Sequence, residues 1–218
     1  MEYGLQFPEV SEEELKLRHP CGIIVAGPQQ TGKSTFILRM VKEAKYLFNP
    51  PPKTQLYCYG EYDDRIHDYR NAGALVMSGL PDEATIDALE KPAVIYLDDL
   101  MLHAKDQYLQ DLFTKKIHHK NISVVFLVQN AFDKNIRVAR LNSQYMVFMR
   151  APNMALQLRT IGSQMYPGML HYFMDAANKA MHKPYTYLFG DNHPKTSDKL
   201  RLRTGIFPDD DKVVFLPK

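Results

Sequence analysis

The sequence predicts a three-layer α/β fold with a mostly parallel central sheet and helices on both faces. Three observations carry this. Short apolar runs, among them Cys21–Ala26, Ala93–Leu97 and Ile122–Val128, are separated by segments with helical spacing. That alternation is what right-handed crossovers between parallel strands require. Ile122–Val128 is apolar but for Ser123 and rich in β-branched residues, as a central strand covered on both faces should be.

The elements follow in order. Cys21–Ala26 reads as a strand that ends in glycine. Lys33–Leu47 carries Phe36, Ile37, Met40, Val41 and Ala44 at helical spacing, and Asn49–Pro52 stops it. Gln55–Tyr59 is a strand, Gly60–Asn71 a polar loop, Ala74–Met77 a short strand and Asp82–Glu90 a helix. Ala93–Leu97 is the next strand. Lys105–Lys120 is an amphipathic helix with Tyr108, Leu109, Leu112, Phe113 and Ile117 on one face. Ile122–Val128 and Tyr145–Met149 are strands. Two amphipathic segments follow, one with Met154, Leu158, Ile161 and Met165 in line, the other with Leu170, Phe173, Met174, Ala177 and Met181. The methionine stripes read as core packing. Tyr185–Phe189 reads as an edge strand. Residues 1–19 form an N-terminal helical segment, in which Ser11 and Glu14 fit a capping box. Residues 20–194 form the main domain and 195–218 a partly extended tail.

Composition narrows the class. The chain has 218 residues, 45% hydrophobic and 24% charged, as in ordinary globular proteins. No apolar run approaches the roughly 18–20 residues of a membrane span, and acidic Glu12–Glu14 is unlike a signal peptide. The net charge of +2 is no argument for nucleic acid by itself. Cys21 and Cys58 read as buried thiols in a reducing compartment, and no Cys/His spacing fits a zinc site.

Gly27-Pro28-Gln29-Gln30-Thr31-Gly32-Lys33-Ser34 matches G-x-x-x-x-G-K-[ST], the Walker A P-loop, between a strand and a helix as the mechanism needs. Gly27 and Gly32 let the backbone bend around phosphates. The amides from Gln30 to Thr35 and the helix N-terminus supply positive charge. Lys33 then serves the β- and γ-phosphates, and the Ser34 hydroxyl serves Mg²⁺. The strand Val94–Leu97 ends in Asp98-Asp99, placing carboxylates at the C-terminal edge of a parallel sheet in the manner of a Walker B strand. Asp98 suits Mg²⁺, and Asp99 suits a base that orients or deprotonates water. The bland alternative is that Asp99 caps the next helix.

Val128 is followed by Gln129-Asn130, which fit either a γ-phosphate sensor or a turn. In the ASCE, RecA-like branch of P-loop NTPases this strand inserts between the P-loop strand and the acidic strand. No N-K-x-D loop is present, which favours ATP over GTP. Arg137 and Arg140 follow on a polar loop, where either could act on a neighbouring subunit's nucleotide or simply be solvated. Two basic clusters, Lys115–Lys120 and Lys195, Lys199, Arg201 and Arg203, could face DNA. The first also suits a helix C-terminus, and acidic Asp198 and Asp209–Asp211 weaken the second.

These residues resemble the viral genome-packaging ATPases of the FtsK–HerA superfamily, in the compact form of polinton and adintovirus-like elements related to the poxvirus packaging ATPase. The likeness runs through Gly27–Phe36, Phe48–Pro52, Tyr57–Glu61, Leu97–Met101, Leu112–Lys115, His118–Val124, Gln129-Asn130, Tyr166–Gly168 and Leu200–Thr204. It covers roughly residues 20 to 208. It implies an ATP- and Mg²⁺-dependent motor, assembled as a homo-oligomeric ring of five or six subunits. The ring would thread double-stranded DNA into a capsid, with a portal or vertex protein as partner and no membrane. It implies that Gln129 is the sensor glutamine and Arg137 the trans arginine, working inside an infected host's nucleus or cytoplasmic factory, or with the virion. Two features depart from the family: Pro152-Asn153-Met154 replaces a basic-acidic pair, and Asp99 stands where the wider superfamily has Glu. A DNA pump or helicase-like ATPase without a capsid, and a nucleotide-dependent binding switch, are the alternatives.

Overall fold

The computed structural model describes residues 11–100 and 106–217. Among the described residues nine strands form the main sheet: β1 (Gly22–Ala26), β2 (Thr54–Tyr59), β3 (Leu75–Ser78), β4 (Ala93–Asp98), β5 (Ile122–Val128), β6 (Tyr145–Met149), β7 (Tyr187–Asp191), β8 (Leu202–Thr204) and β9 (Val213–Val214). Their order across the sheet is β9-β8-β7-β6-β1-β5-β4-β2-β3. From β6 to β3 every pairing is parallel, whereas β7, β8 and β9 join antiparallel. The Gln129 strand β5 therefore lies between the P-loop strand β1 and the acidic strand β4, as expected of the RecA-like branch.

Strict alternation along the central strands makes the three layers. On β5, Val124, Phe126 and Val128 point into one core, and Val125 and Leu127 into the other. The first core is closed by α3 (Glu83–Ala88), a helical run over 106–119 called α4, α5 (Arg137–Leu141), α6 (Ala155–Met165) and α7 (Leu170–Ala180). The second is closed by α1 (Lys33–Leu47) and α2 (Ile66–Asn71). α1 buries Phe36, Ile37, Met40, Val41, Ala44 and Leu47, so its 3.6-residue stripe faces the sheet. Gly22 lets the Phe113 ring of α4 lie on β1, since a Cβ there would stand 3.0 Å from that ring.

Several expectations need correction. The polar stretch Gly60–Asn71 contains α2, which buries only Ile66 and Tyr69, too few apolar positions to register as a period. α4 is α-helical over Asp106–Asp111 and Ile117–His119 but widens to a π turn over Leu112–Lys116. The strand expected at Tyr185–Phe189 starts at Tyr187 and is interior, lying between β6 and β8. The expected tail supplies β8 and β9 to the sheet. At the N-terminus a single turn, Glu12–Leu15, carries the Ser11 capping box, with the Ser11 N–H donating to Glu14 at 3.1 Å. Residues 1–10 of that segment, Met101, and Lys105 at the expected helix start lie outside the described residues.

The antiparallel flank is pinned by a buried ion pair. Arg203 on β8 meets Asp191 on β7 at 3.2 Å, with both side chains almost wholly enclosed. Arg203 also donates to the Leu200 carbonyl at 2.8 Å and stacks over Phe189. Removing one partner strands the other charge away from water. Arg203→Ala should therefore lower unfolding stability by about 3–5 kcal/mol in urea denaturation.

Candidate active site

Parallel register brings the strand tips together. Ala26 pairs with Val128, Leu97 with Phe126 and Asp98 with Tyr59. The Gly27 N–H continues the ladder to the Val128 carbonyl at 3.1 Å. A cleft of about 680 Å³ opens over these tips. Gln29, Gln30, Gly32, Lys33, Ser34, Thr35, Asp98, Asp99 and Gln129 all line it. Gly27, Pro28 and Thr31 instead brace the loop. The Thr31 hydroxyl donates to the Pro28 carbonyl at 2.9 Å, and a Cβ on Gly27 would meet Thr31 Oγ1 at 2.7 Å and Met149 Cβ at 2.8 Å. Gln30 (φ 62°) and Gly32 (φ 92°) adopt left-handed backbone, which wraps the loop into the start of α1.

Lys33 folds back on its own loop, with Nζ donating to the carbonyls of Gly27 at 2.5 Å and Pro28 at 2.7 Å. Burial pulls its ammonium below the ordinary lysine range, while the Asp98 and Asp99 charges hold it up. Burial likewise pushes the Asp98 carboxyl above the ordinary carboxylate range; the Tyr57 hydrogen bond opposes this, the Asp99 charge adds to it and Lys33 offsets part of it.

Two tyrosines brace these groups, and sequence reading missed them. Tyr57 Oη donates to Asp98 Oδ2 at 2.7 Å. Its ring stacks on Tyr69 at 3.7 Å between centroids and 12° between planes. Tyr69 Oη in turn donates to the Ser34 carbonyl at 3.0 Å. The stack ties the acidic strand to the first turn of the P-loop helix. The available signal was alternation on β2, where Tyr57 and Tyr59 share the face opposite Leu56 and Cys58. Arg65 also reaches the cleft, hydrogen-bonded to Asp63 at 2.9 Å.

Asp99 has φ 53°, and its carbonyl lies where a Cβ on Gly60 would be, 2.1 Å away. Glycine at 60 is thus required for the backbone that presents Asp99. The alternative role of Asp99 as a helix cap concerns residues 101–105, outside the described set. Gln129 lines the cleft, whereas Asn130 makes the turn, its Oδ1 accepting from the Phe132 N–H at 2.8 Å. Arg137 is exposed at the start of α5 and does not line this chain's cleft. Arg140 is engaged internally, over the Phe132 ring at 4.6 Å and bonded to Gln164 at 3.0 Å.

The lysines of the first basic cluster and the arginines of the second are paired. Lys115 meets Asp111, Lys116 meets Glu83, and Lys120 meets Glu83 and Asp87. Arg201 meets Asp198, and Arg203 is buried on Asp191. Cys21 and Cys58 are buried, and burial pushes each thiol up to about 12.

No family model matches the sequence, and no curated protein matches it. Solved structures do. The genome packaging NTPase B204 from Sulfolobus turreted icosahedral virus 2, in complex with ATP-gammaS, superposes over 91% of this chain and 98% of its own at 14% identity and a TM-score of 0.51. The fold is that of P-loop NTPases. EssC from Geobacillus thermodenitrificans covers 64% of this chain and 34% of its own at 14% identity and TM-score 0.46. FlaH from Methanocaldococcus jannaschii covers 63% and 75% at 13% identity and TM-score 0.45.

Two outcomes follow from this geometry. A folded-state pKa raised by burial means Asp98 lowers stability once it ionises, a cost present above that pKa and removed as pH falls through it. Asp98→Asn should therefore raise Tm at neutral pH, and the gain over wild type should fade as pH falls through the carboxylate range in thermal melts. Gly60→Ala would drive a Cβ into the Asp99 carbonyl and should lower unfolding stability by about 1–3 kcal/mol in urea denaturation.

Proposed function

We propose that this chain is an ATP-hydrolysing motor of the FtsK–HerA type that translocates double-stranded DNA into a viral capsid. One observation carries the enzymatic part: P-loop, paired acids and Gln129 meet in one cleft, with β5 inserted between β1 and β4. Likeness in fold to a protein named as a genome packaging NTPase supports the packaging part, as does the resemblance along the sequence.

The residues fit a Mg²⁺-nucleotide. Ser34 and Asp98 are hard oxygen donors, and Mg²⁺ is commonly held by one or two such groups plus phosphates rather than by a protein cage. Tyr57 donates one hydrogen bond to Asp98 Oδ2, which leaves the carboxylate's other lone pairs for the cation or its water. Bound there, Mg²⁺ would neutralise charge on the β- and γ-phosphates. Lys33 would exchange its Gly27 and Pro28 carbonyls for phosphate oxygens. Asp99 orients or deprotonates the attacking water, and Gln129 senses the γ-phosphate. Arg137, exposed and outside its own cleft, acts on a neighbour in a ring of five or six subunits. Arg140 is tied to Phe132 and Gln164, which favours Arg137 for that part. The remaining partners are the duplex and a capsid portal or vertex protein, inside the infected host or with the virion. No described helix is long and apolar enough to cross a membrane.

Phosphate release should rise when linear duplex DNA is added, and Lys33→Ala should reduce it about a hundredfold or more. Mixing Arg137→Ala with Lys33→Ala subunits should restore part of the activity. Turnover indifferent to DNA would sink the motor, and nucleotide binding without turnover would favour the switch.

A further inference from the structure

Tyr185 is not needed by the chemistry above, yet it lines the same cleft. It is 71% exposed, so its ring is open to a ligand in the cleft. Its backbone is left-handed, φ 62°, which non-glycine residues seldom adopt and which clusters at functional sites. Its ring edge lies over the P-loop, since a Cβ placed on Gly32 would stand 3.2 Å from Tyr185 Cδ1.

The loop carrying Tyr185 is held rather than loose. The Arg150 N–H donates to the Thr186 carbonyl at 2.9 Å, and Arg150 Nε to the Met181 carbonyl at 2.9 Å. The Thr186 hydroxyl donates to the Lys183 carbonyl at 2.6 Å. The neighbouring Met149 packs against Gly27. The end of β6 thus mounts both the P-loop and the Tyr185 loop.

Sheet order gives the direction. Asp98, Asp99 and Gln129 extend from β4 and β5, on one side of β1, whereas Tyr185 precedes β7, on the other side. The other tyrosines lining the cleft, Tyr57, Tyr59, Tyr62 and Tyr69, belong to β2, the loop after it, or α2, on the acidic side. A triphosphate whose γ end meets the acids and Gln129 has its nucleoside end on the side of Tyr185.

We propose that Tyr185 is the platform on which the base of the bound nucleotide stacks. This rests on the nucleotide reading of the cleft. Stacking on a phenol face recognises a planar base through its π surface and leaves the phosphates to the P-loop.

Calorimetry with ADP and with inorganic pyrophosphate, both with Mg²⁺, tests it. Tyr185→Ala should weaken ADP binding about tenfold or more and leave pyrophosphate binding as in wild type. Tyr185→Phe, which keeps the ring, should bind ADP as wild type does. Unchanged ADP affinity in Tyr185→Ala would overturn the proposal. Equal weakening of both ligands would also overturn it, since the ring would then only support the loop. Wild-type protein that bound neither probe would overturn the nucleotide reading itself, and this inference with it.

Discussion

Parallel pairing of β5 between β1 and β4 is the constraint on which the site depends. Gly27, Asp98 and Gln129 are far apart in sequence, and only a common strand direction delivers them to one edge. Register matters as much as direction. A slip of one residue would exchange the two faces of β5 and send Val125 and Leu127 into the wrong core. Because the strand is apolar on both faces, the central sheet is held by burial from α1 on one side and α4 to α7 on the other. The cleft chemistry therefore rests on a support that does not itself take part.

Around that edge the molecule accepts unfavourable local states. Gln30, Asp99 and Tyr185 are three of the four described non-glycine residues with positive φ, and all three line the cleft. Asp98 keeps a half-buried carboxyl, and Lys33 a half-buried ammonium. The stack of Tyr57 on Tyr69 fixes Asp98 and the Ser34 carbonyl relative to each other. Strain and buried charge concentrated at one edge are expected where geometry is preorganised for a ligand.

Much of this was legible in the sequence, for identifiable reasons. Ile122–Val128 and Tyr145–Met149 were readable to the residue because continuous apolar runs bounded by polar residues have little ambiguity. The P-loop was readable because its chemistry dictates glycine, lysine and hydroxyl at fixed spacing. α2 was hidden, since a short helix with one buried turn has almost no period. The flank β7 to β9 was misplaced because antiparallel pairing of a terminal segment depends on a distant contact, Arg203 with Asp191, that no local pattern announces. Tyr57 and Tyr69 were missed for a related reason: their significance is a meeting across the fold, 12 residues apart in sequence but stacked in space.

The internal pairing of Lys115, Lys116 and Lys120 has a consequence for any polyanion that approaches this surface. Cations already facing their own carboxylates neutralise few phosphates and so displace few of the counterions condensed on the polyanion. Such a face adds little to the entropic pull that makes protein–DNA association steep in salt.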